Sequence, residues 1–251
     1  MKLSSEILYG RNAVLEAVRA GRPVRRVVLD EGASSSDPRI AELHRLCRES
    51  RIPVEHAPRR ELDRLARGSQ HQGVVAVAEP RPAQTLSGIL KSCGREGREP
   101  CIVLLRGVVH AQNLGAIVRT AAAAGADAVV IPTGQSATVT PEAARVSQGA
   151  TEHVPVIRQS LTQAAAALRR EGVRLVGADA SADKPYWDCD LTGPVAIVMG
   201  GEHAGLKGPL ADQCEEMVRI PMSARVESLN VSVACALVLY ERLRQTSQRS
   251  A

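Results

Sequence analysis

Short apolar runs with almost nothing polar inside them constrain this chain more than any other feature. Ile102 to Leu105, Ala128 to Ile131, Val154 to Ile157, Arg174 to Ala178, Val195 to Met199 and Val218 to Ile220 are too brief for buried helices. They also lack the alternation of a half-exposed strand. Segments with helical periodicity separate them, near residues 114–124, 141–147, 161–171, 208–213 and 229–244. Apolar runs alternating with helices predict an α/β fold whose parallel sheet is covered on both faces. Phe is absent and aromatics make up 2% of the chain, so the cores must rest on Leu, Val, Ile and Ala.

The first 80 or so residues read as a second, smaller α/β domain. Ala13, Val14, Ala17 and Val18 mark a helix over residues 10–20 that Gly21 ends. Asp37-Pro38 looks like an N-cap followed by Pro at the first helical position, opening a helix that runs to about Ser50. Strands are expected at Arg26 to Leu29, Ile52 to Glu55 and Val74 to Ala78, with a short helix at Glu61 to Arg67. Pro80, Pro82 and the polar stretch to Thr85 form a linker, followed by an amphipathic helix from Leu86 to Cys93 and a charged turn from Gly94 to Pro100. The expected domains are therefore 1–79 and 100–251, joined by a linker and leading helix over 80–99.

Charge is unevenly placed. Residues 1–98 carry 18 Lys and Arg against 12 Asp and Glu, whereas residues 99–251 carry 14 against 15. The basic excess of the first part suits contact with phosphate, and a solvated Arg-rich surface is the plainer alternative. The six cysteines are scattered without metal-ligand spacing and several sit in apolar segments, as buried reduced thiols do. The histidines show no ligand pattern, so no metal is expected. No apolar run follows Met1-Lys2 and none approaches the ~20 residues needed to span a bilayer, which predicts a cytosolic protein without membrane contact.

The chemistry is expected in the stretch Ile220 to Ala234, IPMSARVESLNVSVA. Ser228 and Asn230 lie where a helix begins, and such residues ordinarily cap free backbone donors. An ordinary dinucleotide site is excluded. After Leu105 the chain reads RGVVHAQNLG, without the glycine spacing of a phosphate-binding turn. Glycines cluster later instead, at Gly200, Gly201 and Gly205, where they let backbone approach a flat ligand.

In order and character, Asn113 to Gly125 (NLGAIVRTAAAAG), Ile197 to Gly205 (IVMGGEHAG) and Ile220 to Ala234 resemble the three motifs of the SpoU (TrmH-like) family of RNA ribose 2'-O-methyltransferases, within the SPOUT superfamily. Tyr9-Gly10 and His71-Gln72-Gly73 resemble that family's N-terminal substrate-binding domain, which is similar to ribosomal protein L30e. The resemblance implies a Rossmann-like catalytic domain with a C-terminal trefoil knot, a feature that sequence physics alone never proposes. It also implies S-adenosyl-L-methionine as cofactor, with contacts at Gly200, Ile220 and Leu229, and a homodimer. Arg119 matches the family's catalytic arginine and would polarise, deprotonate or orient the ribose hydroxyl. A free guanidinium is a poor base, because its pKa exceeds about 12. Asn113 and Asn230 would position ribose and backbone, Ser228 would contact the target phosphate or relay a proton, and Glu202 would brace the site. On the same analogy Arg25, Arg26, Arg59, Arg60, His71 and Gln72 are candidate RNA contacts.

Motif one departs from the family pattern: Arg106 and His110-Ala111 stand where the family has an Asp and an Asp-Pro. The expected substrate is a guanosine ribose in 23S rRNA. A tRNA guanosine, or an rRNA target of the antibiotic-resistance type, is the alternative. A non-catalytic RNA-binding ribosome-assembly protein is the reading from another class.

Overall fold

The computed structural model describes residues 5–34, 36–134, 136–201, 205–223 and 228–249. In chain order its elements are β1 (Glu6–Tyr9), α1 (Arg11–Arg19), β2 (Val24–Asp30), α2 (Pro38–Glu49), β3 (Val54–Ala57), α3 (Arg59–Leu65), β4 (Val74–Ala78), α4 (Leu86–Arg95), β5 (Cys101–Leu105), α5 (Ala111–Ala123), β6 (Ala128–Ile131), α6 (Pro141–Val146), β7 (Val156–Arg158), α7 (Leu161–Arg170), β8 (Arg174–Ala178), β9 (Lys184–Pro185), β10 (Val195–Met199), β11 (Glu216–Arg219) and α8 (Val231–Arg249). Short 3-10 turns occupy Ala150–Glu152, Tyr186–Asp188 and Gly208–Gln213. The last of these is expected as a helix and is the tighter form, in a segment opened by Gly208-Pro209.

The chain divides into two compact units, the first formed by residues up to Ala83 together with Val139–His153. Its four-stranded sheet has the order β1-β4-β2-β3, with β4 antiparallel to both β1 and β2 and β2 parallel to β3. Side chains alternate along β4 between two buried faces. Val74, Ala76 and Ala78 join the cluster under α1 and α2, whereas Val75 joins Tyr9, Val28 and Leu62 under α3. As the dipeptide predicts, Asp37 caps α2: its carboxylate accepts the Arg39 N–H at 2.8 Å and Pro38 opens the helix. Strand β1 is an addition to the sequence-based elements, because four residues are too few to establish a period.

Residues 139–153, which the sequence places with the C-terminal domain, cluster with the first unit. The reason is a buried ion network. The Glu152 side chain, 4% exposed, accepts from Arg22, itself 3% exposed, at 3.1 Å and also from Arg81. Arg22 completes its donors with Glu6 and the Glu79 carbonyl, and His153 reaches Glu16 at 2.8 Å.

In the second unit all strand pairs are parallel, in the order β7-β6-β5-β10-β8-β11-β9. Strands β5 and β10 are buried along their whole length, which is why they read as continuous apolar runs. Ala196 and Val198 face a cluster with Leu161, Ala164 and Leu168 of α7, while α5 and α8 pack against each other and α8 against β10. All six cysteines are free thiols. Burial pushes Cys47 and Cys101 up to about 11 and Cys235 up to about 12, leaving them unreactive at neutral pH. Among the described residues no helix is long and apolar enough to cross a membrane, and no group of His, Cys, Asp or Glu could hold a metal ion.

Candidate active site

A cavity of about 200 Å³ opens where β8 and β10 end and the chain leaves β11. Ligands in open parallel sheets gather at these carboxyl ends, because the loops there are free of the helices that cover the sheet faces. Gly200, Ile220 and Leu229, from two separate motifs of the sequence, all line it, together with Ser228, Asp179 and the apolar side chains of Met199, Met222 and Val231.

Local sequence explains the shape. After Met199 the chain turns through Gly200 and Gly201, and an isolated antiparallel bridge between Gly201 and Gly205 closes the turn. A Cβ on Gly200 would lie 2.8 Å from the Gly205 carbonyl carbon, so no side chain fits there. Gly205 has φ of +58° and a Cβ on it would sit 2.4 Å from Asp179 Oδ2. Asp179 fastens this turn to the end of β8: Oδ2 accepts the Leu206 N–H at 2.5 Å and Oδ1 accepts the Ser181 N–H and hydroxyl at 2.9 and 2.6 Å. Burial alone would raise its pKa, but the Ser181 hydroxyl, the two backbone N–H groups and nearby Lys207 outweigh it and hold the carboxyl below its ordinary range.

Asn230 caps α8, its Oδ1 accepting from the Ser232 N–H at 2.8 Å and the Ser232 hydroxyl at 2.6 Å. Its amide nitrogen donates to Asn113 Oδ1 of α5 at 3.2 Å, so motifs one and three meet side chain to side chain. Arg119 is exposed further along α5, outside the cavity lining, with no hydrogen bond or ion pair to the described residues. Arg106 donates to the Lys207 carbonyl and so ties the end of β5 to the segment after the glycine turn. Glu202 lies outside the described residues.

Residues 100–240 match the SpoU rRNA Methylase family and residues 7–84 match the family described as RNA 2'-O ribose methyltransferase substrate binding. The 23S rRNA (guanosine-2'-O-)-methyltransferase RlmB of Pseudomonas putida is 39% identical over 243 residues, 96% of both chains. The chain belongs to the SpoU rRNA methylase family. A putative TrmH family tRNA/rRNA methyltransferase of Staphylococcus aureus is 34% identical over 97% of both chains. Among solved structures, the SpoU methyltransferase AviRb of Streptomyces viridochromogenes, in complex with the cofactor AdoMet, aligns with a TM-score of 0.77 at 29% identity, covering 97% of this chain and 91% of that one.

The SpoU substrate-binding domain corresponds to the β1–β4 part of the first unit, where the six RNA-contact candidates divide. Arg25, Arg26, Arg59 and Arg60 present guanidinium groups at the surface; Arg26 pairs with Glu55 at 2.5 Å, and Arg25 and Arg59 have looser partners in Glu79 and Asp30 at 3.5 and 3.9 Å. Gln72 is exposed in a left-handed conformation with φ of +52°. His71 is the correction. It is 1% exposed, its Nδ1 accepts the Gly73 N–H at 3.1 Å, and its Nε2 therefore carries the proton toward Asp63 Oδ1 at 3.0 Å. With both nitrogens engaged the ring shapes the loop and offers nothing to RNA. Asp179 is the converse, a cavity-lining residue that sequence reasoning missed. A lone Asp after a strand belongs to no motif, and only the position at the carboxyl end of a parallel strand beside the glycine turn could have singled it out.

Proposed function

We propose that this SpoU-family enzyme transfers a methyl group from S-adenosyl-L-methionine to the ribose 2'-hydroxyl of a guanosine in 23S rRNA, the target in the printed name of its Pseudomonas relative. The observation that carries the reading is the convergence of Gly200, Ile220, Leu229 and Ser228 on one cavity at the sheet's carboxyl end. The residues present fit the cofactor. The glycine turn exposes backbone to a flat base, Met199, Ile220 and Leu229 supply apolar walls, and Asp179, the one carboxylate among the described lining residues, suits a ligand with net positive charge.

When bound, the cofactor supplies a methyl activated by its sulfonium, a reaction that requires no Lewis acid. The chain's task is to bring a ribose hydroxyl into line and manage its proton. Arg119 is assigned to that hydroxyl, since its five donors are uncommitted among the described residues. Asn113 and Asn230, locked to each other, are assigned to the ribose and backbone, Ser228 to the adjoining phosphate and Glu202 to bracing. Arg25, Arg26, Arg59, Arg60 and Gln72 are assigned to RNA backbone beyond the target. A trefoil-knotted C-terminus, a homodimer and a cytoplasmic location among the ribosomes belong to the same proposal.

The test is transfer of labelled methyl from S-adenosyl-L-methionine to rRNA from a strain lacking the endogenous activity, followed by mapping of the modified nucleotide. Label at one 2'-O-methylguanosine of 23S rRNA supports the proposal. Label on tRNA keeps the enzyme and replaces the substrate; no label on either RNA favours a binding protein. Arg119→Ala is expected to reduce transfer by at least about 100-fold while RNA binding persists, within the range of acid–base and electrostatic contributions.

A further inference from the structure

Asp179 is the only charged residue among the described residues lining the cavity; its companions are neutral throughout, from Ala178, Gly200 and Gly201 to Ile220, Leu229 and Ala234. Counting lone pairs shows what it has left. A carboxylate offers about four acceptor sites. Oδ1 uses two on the Ser181 N–H and hydroxyl, and Oδ2 uses one on the Leu206 N–H. Asp179 makes no ion pair with any described residue. One acceptor position of Oδ2 is therefore uncommitted among the described residues, on an anion whose orientation is fixed by three donors.

Such a group is pre-organised for a cation. The three bonds hold the carboxylate in place before a ligand arrives, so little rotamer entropy is lost on binding. The low polarity of the surrounding walls strengthens a charge-assisted bond over its value in water. S-adenosyl-L-methionine carries two cationic centres, the α-ammonium and the sulfonium. A Cβ on Gly205 would collide with Oδ2, so only glycine at that position leaves room for the carboxylate.

We propose that Asp179 recognises the cofactor's positive charge, its uncommitted Oδ2 position pairing with a cationic group of S-adenosyl-L-methionine. The proposal rests on the assignment of this cavity to the cofactor. It assigns Asp179 two roles, latching the glycine turn and selecting a cationic ligand, and the second separates it from a purely structural residue.

Calorimetric titration of the wild-type protein and of Asp179→Asn with three compounds tests it: S-adenosyl-L-methionine, S-adenosylhomocysteine, which lacks the sulfonium charge, and 5'-methylthioadenosine, which keeps adenine and ribose but has neither cation. Asp179→Asn is expected to weaken S-adenosyl-L-methionine by about 10-fold or more and to leave 5'-methylthioadenosine within about 2-fold, as for a lost charge-assisted bond. Equal loss on S-adenosylhomocysteine identifies the ammonium as the partner. Unchanged S-adenosylhomocysteine binding identifies the sulfonium. Because the Asn amide could oppose the Leu206 N–H, Asp179→Ala is measured alongside and should show the same discrimination. Equal weakening of all three compounds in both variants, or no weakening of S-adenosyl-L-methionine, overturns the proposal. Failure of the wild-type protein to bind any of the three removes the cavity assignment itself, a result distinct from the loss of this inference alone.

Discussion

Asn230 holds two structures together with one amide. Its oxygen caps α8 through Ser232 and its nitrogen reaches Asn113 on α5. The two roles separate by substitution. Asn230→Ala should destabilise the second unit by about 1 kcal/mol, the usual loss for an N-cap, and should lower kcat as well. Asn230→Ser should recover most of the stability by chemical denaturation, since a hydroxyl also caps, yet remain slow, since it is too short to reach Asn113. Recovery of both would show that the Asn113 contact is irrelevant to turnover. His71 gives the opposite lesson: a residue in an exposed-looking Gly-Ser-Gln-His-Gln-Gly loop is buried because Asp63 and the Gly73 N–H claim both its nitrogens.

At the scale of elements, the 3-10 turn Ala150–Glu152 is held in the first unit by charges that water cannot reach. Glu152→Ala takes from buried Arg22 one of its two carboxylate partners, Glu6 remaining, and removes the acceptor of Arg81, and should cost about 1–3 kcal/mol, the range for a buried donor left unsatisfied. Limited proteolysis and denaturant unfolding would detect the loosened first unit; a change below about 1 kcal/mol would count against the network's role. On the sheet's far edge, Glu216 of β11 pairs with Lys184 of β9 at 2.5 Å and Arg174 of β8 at 3.4 Å. The Lys184 hydrogen bond lowers the Glu216 pKa from 4.5 despite some opposing burial. A lowered carboxylate stabilises the fold fully above its unfolded pKa, and that contribution fades as pH falls through the folded value. Thermal melts should therefore show a smaller acid loss, below about pH 4.5, in Glu216→Gln than in the wild type.

For the whole molecule, α8 leaves Val233, Leu237 and Tyr240 exposed at 48%, 37% and 51%, and Trp187 at 49%. Tyr186 and the first three line one shallow groove on the second unit. Contiguous apolar surface of this kind marks a contact, which supports the proposed homodimer. Light scattering at micromolar concentration should give twice the chain mass, and Leu237→Glu should halve it without lowering the melting temperature of the monomer fold.

Much of this is legible in the amino-acid sequence. Strands Val74–Ala78, Ala128–Ile131, Arg174–Ala178 and Val195–Met199 fall where their apolar runs place them, because full burial on both faces leaves an unambiguous local pattern. Helix α2 starts at its Asp-Pro signal for an equally local reason, a side chain capping a donor two residues away. The three motifs and the glycine turn were also visible as residue types. What the sequence by itself determined is therefore most of the elements and the two-part organisation, and it supplied the site candidates as residue types. Tertiary structure alone decided that residues 139–153 pack with the first unit, that His71 faces inward, and that Asp179 shares a cavity with Gly200, Ile220 and Leu229. Each of these depends on partners 27 or more residues away, or on which side of a loop is buried. Such contacts are made by the return of the chain upon itself, and no pattern within a few residues encodes them.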